Sequence, residues 1–235
     1  MVKTTFFIKP SKHTKLFIDQ TLLYPEIFRC LPFGPFKSVD DFVENFYEPR
    51  IGKNPDCTLF AIFDKTKRNT KFNDDHPRKV RIPDEEGPDE VLAGLIGLLN
   101  TSTINLVTEI GLVMILPPFQ RTHISSNVTG LLLQYTLNLP FESPPGLGLR
   151  RVVWQANALN KASVRLAERM GFKFEGVLRW GRALPPWNKD VGRISREGDP
   201  RCDHVGIDVA LLALCWDDWE DGGREKVKLV MQRVK

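Results

Sequence analysis

Ile110-Gly111-Leu112-Val113-Met114-Ile115-Leu116 is apolar at both parities, and the reading of this run decides the fold. A strand with one wet face alternates apolar and polar residues. A run without alternation is buried on both faces, inside a sheet covered on either side. Pro117-Pro118 stops it, because proline brings no N–H to a ladder. Ile124, Val128, Leu131, Leu132, Tyr135 and Leu139 then recur at helical spacing, and Pro140 closes that helix. A Pro/Gly-rich loop leads to a strand, Val152-Val153-Trp154-Gln155-Ala156, ending at Asn157. Asn160 is placed to cap a further helix, with Ser163 in its first turn. Val164, Ala167 and Met170 point inward, Gly171 stands just past the helix end, and Phe172 opens the next strand. Residues 109–172 are thus strand, turn, helix, strand, helix.

The flanks extend this pattern. Thr4–Ile8 and Thr58–Phe63 carry the β-branched and aromatic content of strands, and Val91–Leu99 forms another. Thr103–Leu116 is one bent strand or a pair. A short helix is expected over Asp19–Arg29, broken by Pro32-Phe33-Gly34-Pro35. Ser38-Val39-Asp40-Asp41 starts another helix, with a serine cap and acidic first turn, which Pro49 should end. Residues 64–90 are basic in their first half and acidic in their second, and read as a solvated loop or hairpin insertion; 181–203 reads as a second loop insertion. Phe172–Arg179 and Val205–Leu214 are strands. Val227, Val230, Met231 and Val234 make the inner stripe of a C-terminal helix that packs on the core or on a second copy. The expected class is α+β, a single domain over 1–235 with a mostly antiparallel sheet.

Composition narrows the function classes. The 235 residues contain 42% hydrophobic residues, enough for a sizeable core, and the formal net charge is only +4. That mild charge permits a polyanionic ligand but carries no nucleic-acid reader motif. Cys30, Cys57, Cys202 and Cys215 are scattered, with no C-x-x-C pair, so no metal site is expected and reduced thiols are the default. No run approaches the ~20 apolar residues of a membrane span. A cytoplasmic protein, also compatible with the nucleus, is expected.

The turn between the central strand and helix carries chemistry. A helix start presents unpaired N–H groups and partial positive charge, which suits phosphate. Arg121 adds a charged planar fork; Thr122, Ser125 and Ser126 add hydroxyls, and His123 adds a donor or a charge. A plain strand–helix turn with a polar surface has the same composition.

Gln120-Arg121-Thr122-His123-Ile124-Ser125, then Asn160-Lys161-Ala162-Ser163 through Met170-Gly171-Phe172, and Glu175-Gly176-Val177-Leu178-Arg179 together resemble the GCN5-related N-acetyltransferase (GNAT) superfamily. The nearer resemblance is to its RimJ/RimL-like branch, which acetylates protein N-termini and small amines, and Leu31–Phe36 with Ser38 adds to it. The resemblance implies a central sheet that splays apart, flanked by helices. It implies acetyl-CoA as acyl donor, lying along Val113, Met114, Ile115 and Leu116. The pyrophosphate would sit on Gln120, Arg121, Thr122, His123, Ile124, Ser125 and Ser126, with Asn157, Asn160 and Ser163 on the other wall. The family's phosphate turn usually has glycines where His123 and Ser125 stand here, and a tyrosine of many relatives is replaced by Ala167. Ser163 is then the candidate proton donor to the leaving thiolate. Glu109, among apolar neighbours, is the candidate base, with an ion-paired or capping carboxylate as the alternative role. Trp180, Arg182 and Trp187 are candidates for contact with the acceptor amine. The expected enzyme acts as a monomer or homodimer by direct attack in a ternary complex. The alternatives are a non-catalytic acyl-CoA-binding module and a basic nucleic-acid-binding protein.

Overall fold

The computed structural model describes residues 5–7, 10–66, 70–72, 81–83 and 91–233. In chain order, β1 (Thr5–Phe7) leads to α1 (Pro10–Leu23) and a short turn of 3-10 helix, Pro25–Phe28. The first helix therefore begins well before Asp19 and stops at Leu23, where the sequence expectation placed its middle. The next helix, α2 (Val39–Phe42), is capped by Ser38, whose Oγ accepts from the Asp41 N–H at 3.1 Å. It does not end at Pro49. It widens into a π-helical stretch, Val43–Gly52, that carries the proline inside it. The Lys53 N–H reaches back five residues to the Glu48 carbonyl (3.0 Å), the wider turn that replaces the usual ladder there.

β2 (Thr58–Asp64) follows, then a small hairpin, β3 (Thr70–Phe72) with β4 (Arg81–Pro83), inside the 64–90 insertion. Residues 67–69, 73–80 and 84–90 of that insertion, Thr4 and Ile8 of the first expected strand, and Val234 of the C-terminal stripe lie outside the described residues. β5 (Val91–Ser102) and β6 (Val107–Ile115) form an antiparallel pair, so 103–116 is a turn plus one strand. α3 (Ile124–Leu137), β7 (Arg151–Asn157), α4 (Lys161–Arg169) and β8 (Lys173–Leu184) come next. The 181–203 segment is not simply a loop. β8 runs through its first residues, Pro186–Val191 is a helical turn, and β9 (Arg193–Ile194) pairs with β10 (Val205–Cys215). The chain closes with α5 (Trp216–Asp218), a π-turn over Trp219–Gly223 and α6 (Arg224–Met231).

The main sheet runs β1-β2-β5-β6-β7-β10-β8. All its pairings are antiparallel except one: β6 and β7 run parallel, and only over Val107–Glu109 against Arg151–Val153. β6 continues six residues past Glu109 and β7 four past Val153, so the strands diverge into a cleft. A bulge helps to aim β6. Gly97 faces Gly111 and Leu95 faces Met114, so β6 spends one extra residue there, and Leu112 takes a left-handed φ of 52°. On β5, Gly94 has φ 155°, and a Cβ there would lie 2.1 Å from the Met114 carbonyl oxygen. Only glycine lets the two backbones come this close.

The core surrounds the sheet on both sides. Ile110, Met114, Ile115 and Leu116 are buried, as the unalternating run predicts, whereas Leu112 and Val113 of the same run are half-buried where they line the cleft. An aromatic cluster of Phe28, Phe33, Phe36, Phe42 and Phe46 joins the N-terminal segments to it. α6 packs its Val227 and Val230 against α3. A smaller apolar cluster of Leu184, Val191, Val205, Ile207 and Val209 sits at the β8–β10 end, with Cys30 against it.

Candidate functional site

The cleft between β6 and β7 holds a cavity of about 100 Å³. Glu109, Gly111, Leu112 and Val113 line one wall; Trp154, Gln155, Asn160 and Ser163 line the other. Cys30–Phe33 and Arg182 border it as well.

Backbone polarity follows from the ladder. The Leu116 N–H donates to the Ala93 carbonyl on β5 (2.9 Å). Strand alternation then turns the N–H and C=O of Val113 and Ile115 away from β5, toward the open side. The Ile115 carbonyl already accepts from the Gln120 side chain (3.0 Å), which ties the turn to the strand end. An extended amide-bearing chain laid in the cleft would meet the remaining groups as a strand partner does.

The turn after β6 is shaped by its own side chains. Thr122 Oγ1 donates to the Phe119 carbonyl (2.6 Å) and accepts from the Ile124 N–H (3.3 Å). The amides of Ser125 and Ser126 have no acceptor among the described residues, so the first turn of α3 keeps donors for an anion. The left-handed residue here is Arg121, φ 59°, whereas His123 has φ −65° and Ser125 lies inside the helix. The two residues that stand in place of glycine, His123 and Ser125, thus adopt backbone angles open to any amino acid, and the left-handed position falls on Arg121 instead. Ser126 is buried and Arg121 exposed. Among the described residues the buried His123 Nε2 has no hydrogen-bond partner; it lies 4.0 Å from Asp64, whose second carboxylate oxygen has none either.

On the opposite wall, Asn160 caps α4: its Oδ1 accepts from the Ser163 N–H at 3.2 Å. The Ser163 hydroxyl accepts from the buried Trp154 indole N–H (3.0 Å), so its own proton stays available to donate. Asn157 lines the cleft, yet its side chain is engaged with the Val191 carbonyl (3.0 Å) and the Leu159 N–H (2.9 Å). It holds the 186–191 turn against β7.

Glu109 sits at the point where the strands part. It is 4% exposed. Its Oε2 accepts from Asn100 Nδ2 and from Gln155 Nε2, both at 3.1 Å, and Arg182 Nη2 stands 3.7 Å from its Oε1. Burial pushes the carboxyl above the usual range; Arg182 and then Asn100 offset part of that rise. The sequence reading had no view of Asn100, Gln155 or Trp154. The one local signal was Gln155, a polar residue inside the otherwise apolar run 152–156.

The acceptor candidates separate. Arg182 reaches the cavity. Trp180 has φ 53°, lies under the Arg193 guanidinium (4.5 Å) and packs on Gly206, while Trp187 is exposed on the 186–191 turn. Neither tryptophan lines the cavity.

Comparison with known proteins agrees with this geometry. The family model described as Acetyltransferase (GNAT) domain matches residues 32–173. No curated protein sequence matches the chain. Among solved structures, a GCN5-related N-acetyltransferase from Brucella melitensis superposes with TM-score 0.70 and 20% identity, covering 98% of this chain and 84% of that one. A probable GNAT-family acetyltransferase from Chromobacterium violaceum gives TM-score 0.66 and 20% identity over 94% and 86%. A spermidine N-acetyltransferase from Vibrio cholerae, solved with CoA and spermine, gives 0.60 and 17% over 92% and 97%. These likenesses show a shared fold, and the family match spans more than half of the sequence: the chain belongs to the GNAT acetyltransferase family and is an N-acetyltransferase that takes its acetyl group from acetyl-CoA.

Proposed function

We propose that the chain acetylates a primary amine, a protein N-terminus or a small molecule, by direct attack in a ternary complex, as the RimJ/RimL-like branch does. The observation that carries this reading is the placement of two groups on one cleft. Glu109 lies where β6 and β7 part, and Ser163 lies on the other wall with a hydroxyl proton to give.

Acetyl-CoA, when bound, supplies an acetyl group activated as a thioester. Val113 to Leu116 offer the open strand edge to its amide arm, and residues 120–126, with Arg121, offer amides and charge to its phosphates. Asn160 and Ser163 line the far wall, and Asn157 fixes that wall. Glu109 accepts the proton that the acceptor ammonium must lose, directly or through a water, so that the nitrogen can form its bond to the carbonyl carbon. Burial raises its affinity for a proton above that of an ordinary carboxylate, the direction that favours a base. Ser163 donates its proton to sulfur as the carbon–sulfur bond breaks, and the second proton that the new amide nitrogen sheds restores the hydroxyl, directly or through a water. Positioning of the two substrates supplies much of the rate. The fold relative from Vibrio cholerae named for spermidine acetylation supports an amine acceptor.

The test is thiol release from acetyl-CoA across peptides with free N-termini, polyamines, amino acids and aminoglycosides. Amine-dependent release is expected, with Ser163→Ala lowering turnover by about 10² while acetyl-CoA binding changes little. Unchanged turnover in that variant would remove Ser163 from the role. Donor binding with no amine-dependent release by the native chain would overturn the transfer reading.

A further inference from the structure

We propose that Arg182 is a positioning residue for the transfer: together with Gln155 it fixes the Glu109 carboxylate at the point where the sheet opens. The proposal rests on the reading of Glu109 as the base. Arg182 comes from β8, which is not a neighbour of β6 in the sheet. It crosses β10 and β7 to arrive there. Its Nη2 donates to Gln155 Oε1 (3.1 Å) and stands 3.7 Å from Glu109 Oε1. Gln155 passes the contact on, donating from Nε2 to Glu109 Oε2 (3.1 Å), where Asn100 donates too. The result is a closed polar ring of side chains from β6, β7 and β8, with Asn100 of β5 joined to it at Glu109.

The ring has a defined chemistry. A glutamine between a guanidinium and a carboxylate can be oriented only one way: its oxygen faces arginine and its amide faces glutamate. That leaves Glu109 as a pure acceptor, held in one rotamer. Among the described residues the charged and titratable groups facing Glu109 are few. β8 contributes Arg182, and the Cys30–Phe33 segment contributes the Cys30 thiol to the same cavity; β5 and β7 contribute the neutral amides of Asn100 and Gln155. Arg182 is therefore the one cation opposing the burial of the carboxylate. It is half-exposed at the mouth, with a side chain 41% accessible, whereas the Glu109 side chain is at 5%.

The sign of the effect follows. A base must be unprotonated to work. Loss of the guanidinium removes an influence that holds the Glu109 proton affinity down, so the acid limb of the kcat/KM profile should move to higher pH. A residue that only supported the fold would lower the melting temperature without moving the limb. A residue that only bound the acceptor would raise the acceptor KM without moving it.

The experiment compares pH profiles of kcat/KM for the native enzyme, Arg182→Gln, Arg182→Lys, Gln155→Leu and Glu109→Gln, with one amine acceptor and acetyl-CoA. Arg182→Gln is expected to shift the limb upward and to lose activity several-fold on its acid side. Arg182→Lys, which keeps the charge, should hold the limb near native and lose turnover through the broken bond to Gln155; it also decides the matter if the glutamine variant does not fold. A limb that stays put in Arg182→Gln, or one that moves equally in both arginine variants, overturns the proposal. The limb should vanish in Glu109→Gln. If it persists there, the base reading fails; if it vanishes there yet ignores Arg182, only the present inference fails.

Discussion

At the scale of single residues, the site is set by which hydrogen bonds are already spent. Ser163 was legible as a helix-cap neighbour and a candidate donor. Its suitability comes from Trp154, whose indole occupies the hydroxyl as acceptor and leaves the proton outward. Trp154 is 1% exposed and packs edge-on to Phe172, with ring centroids 5.6 Å apart. Trp154→Phe should keep most of this packing. Its stability cost is expected to fall below the roughly 3–5 kcal/mol of truncation to alanine. Turnover should drop to a value between native and Ser163→Ala, because the hydroxyl loses its orienting donor. Denaturant melts and steady-state kinetics on the same preparation check this; turnover equal to native would show that the indole does not orient Ser163. Asn157 teaches the reverse lesson. It lines the cavity, and the chain itself bonds its amide once at each end, which holds the side chain in place.

At the scale of elements, the decisive feature is the failure of two parallel strands to stay paired. β6 leaves β7 after Glu109 while keeping its antiparallel partner β5 to Ile115. The β5 contact is tightest at Gly94, where the backbones meet without room for a Cβ. Gly94→Ala should force them apart and move the open edge of β6. An overpacking cost of about 1–3 kcal/mol is expected, together with weaker acetyl-CoA binding, since Val113 and Ile115 belong to the displaced strand. Calorimetric titration beside a denaturant melt reads both; native affinity in a destabilised protein would show that the edge is not the docking strand. The unalternating run and the Pro-Pro stop announced this strand, because burial on both faces leaves a mark on composition. The bulge left none. Leu112 has a left-handed φ that nothing in its side chain requests; the mismatch with β5 imposes it.

At the scale of the whole molecule, distant segments close the cleft. The 185–204 stretch folds back on the N-terminal region: Asn188 Nδ2 donates to the Leu31 carbonyl (3.1 Å), and Arg29 pairs with Asp190 (2.5 Å). Such contacts join residues more than 150 positions apart and bring Cys30–Phe33 to the rim of the cavity. No helix among the described residues is long and apolar enough to cross a membrane. A ligand that binds only the folded cleft must stabilise the fold by mass action. Acetyl-CoA at about 100 times its Kd should add about 2.7 kcal/mol, read as a rise in melting temperature. Ser163→Ala should retain that rise. A melting temperature indifferent to saturating acetyl-CoA would be inconsistent with docking in this cleft.

The sequence by itself determined the central strand, the helix after it, the Asn160 cap and the Gly171 stop (φ 96°), and its motifs carried the resemblance to the family. Each is written locally, as burial on both faces, a 3.6-residue period, a side chain that satisfies an orphan N–H, or a residue free to take a positive φ. Tertiary structure alone decided where the strands part, that Arg121 takes the left-handed position in the turn, and that Asn100, Gln155 and Arg182 converge on Glu109. Those contacts join β5, β7 and β8 to β6 across the sheet, and no periodicity or capping preference within one segment records a partner on another.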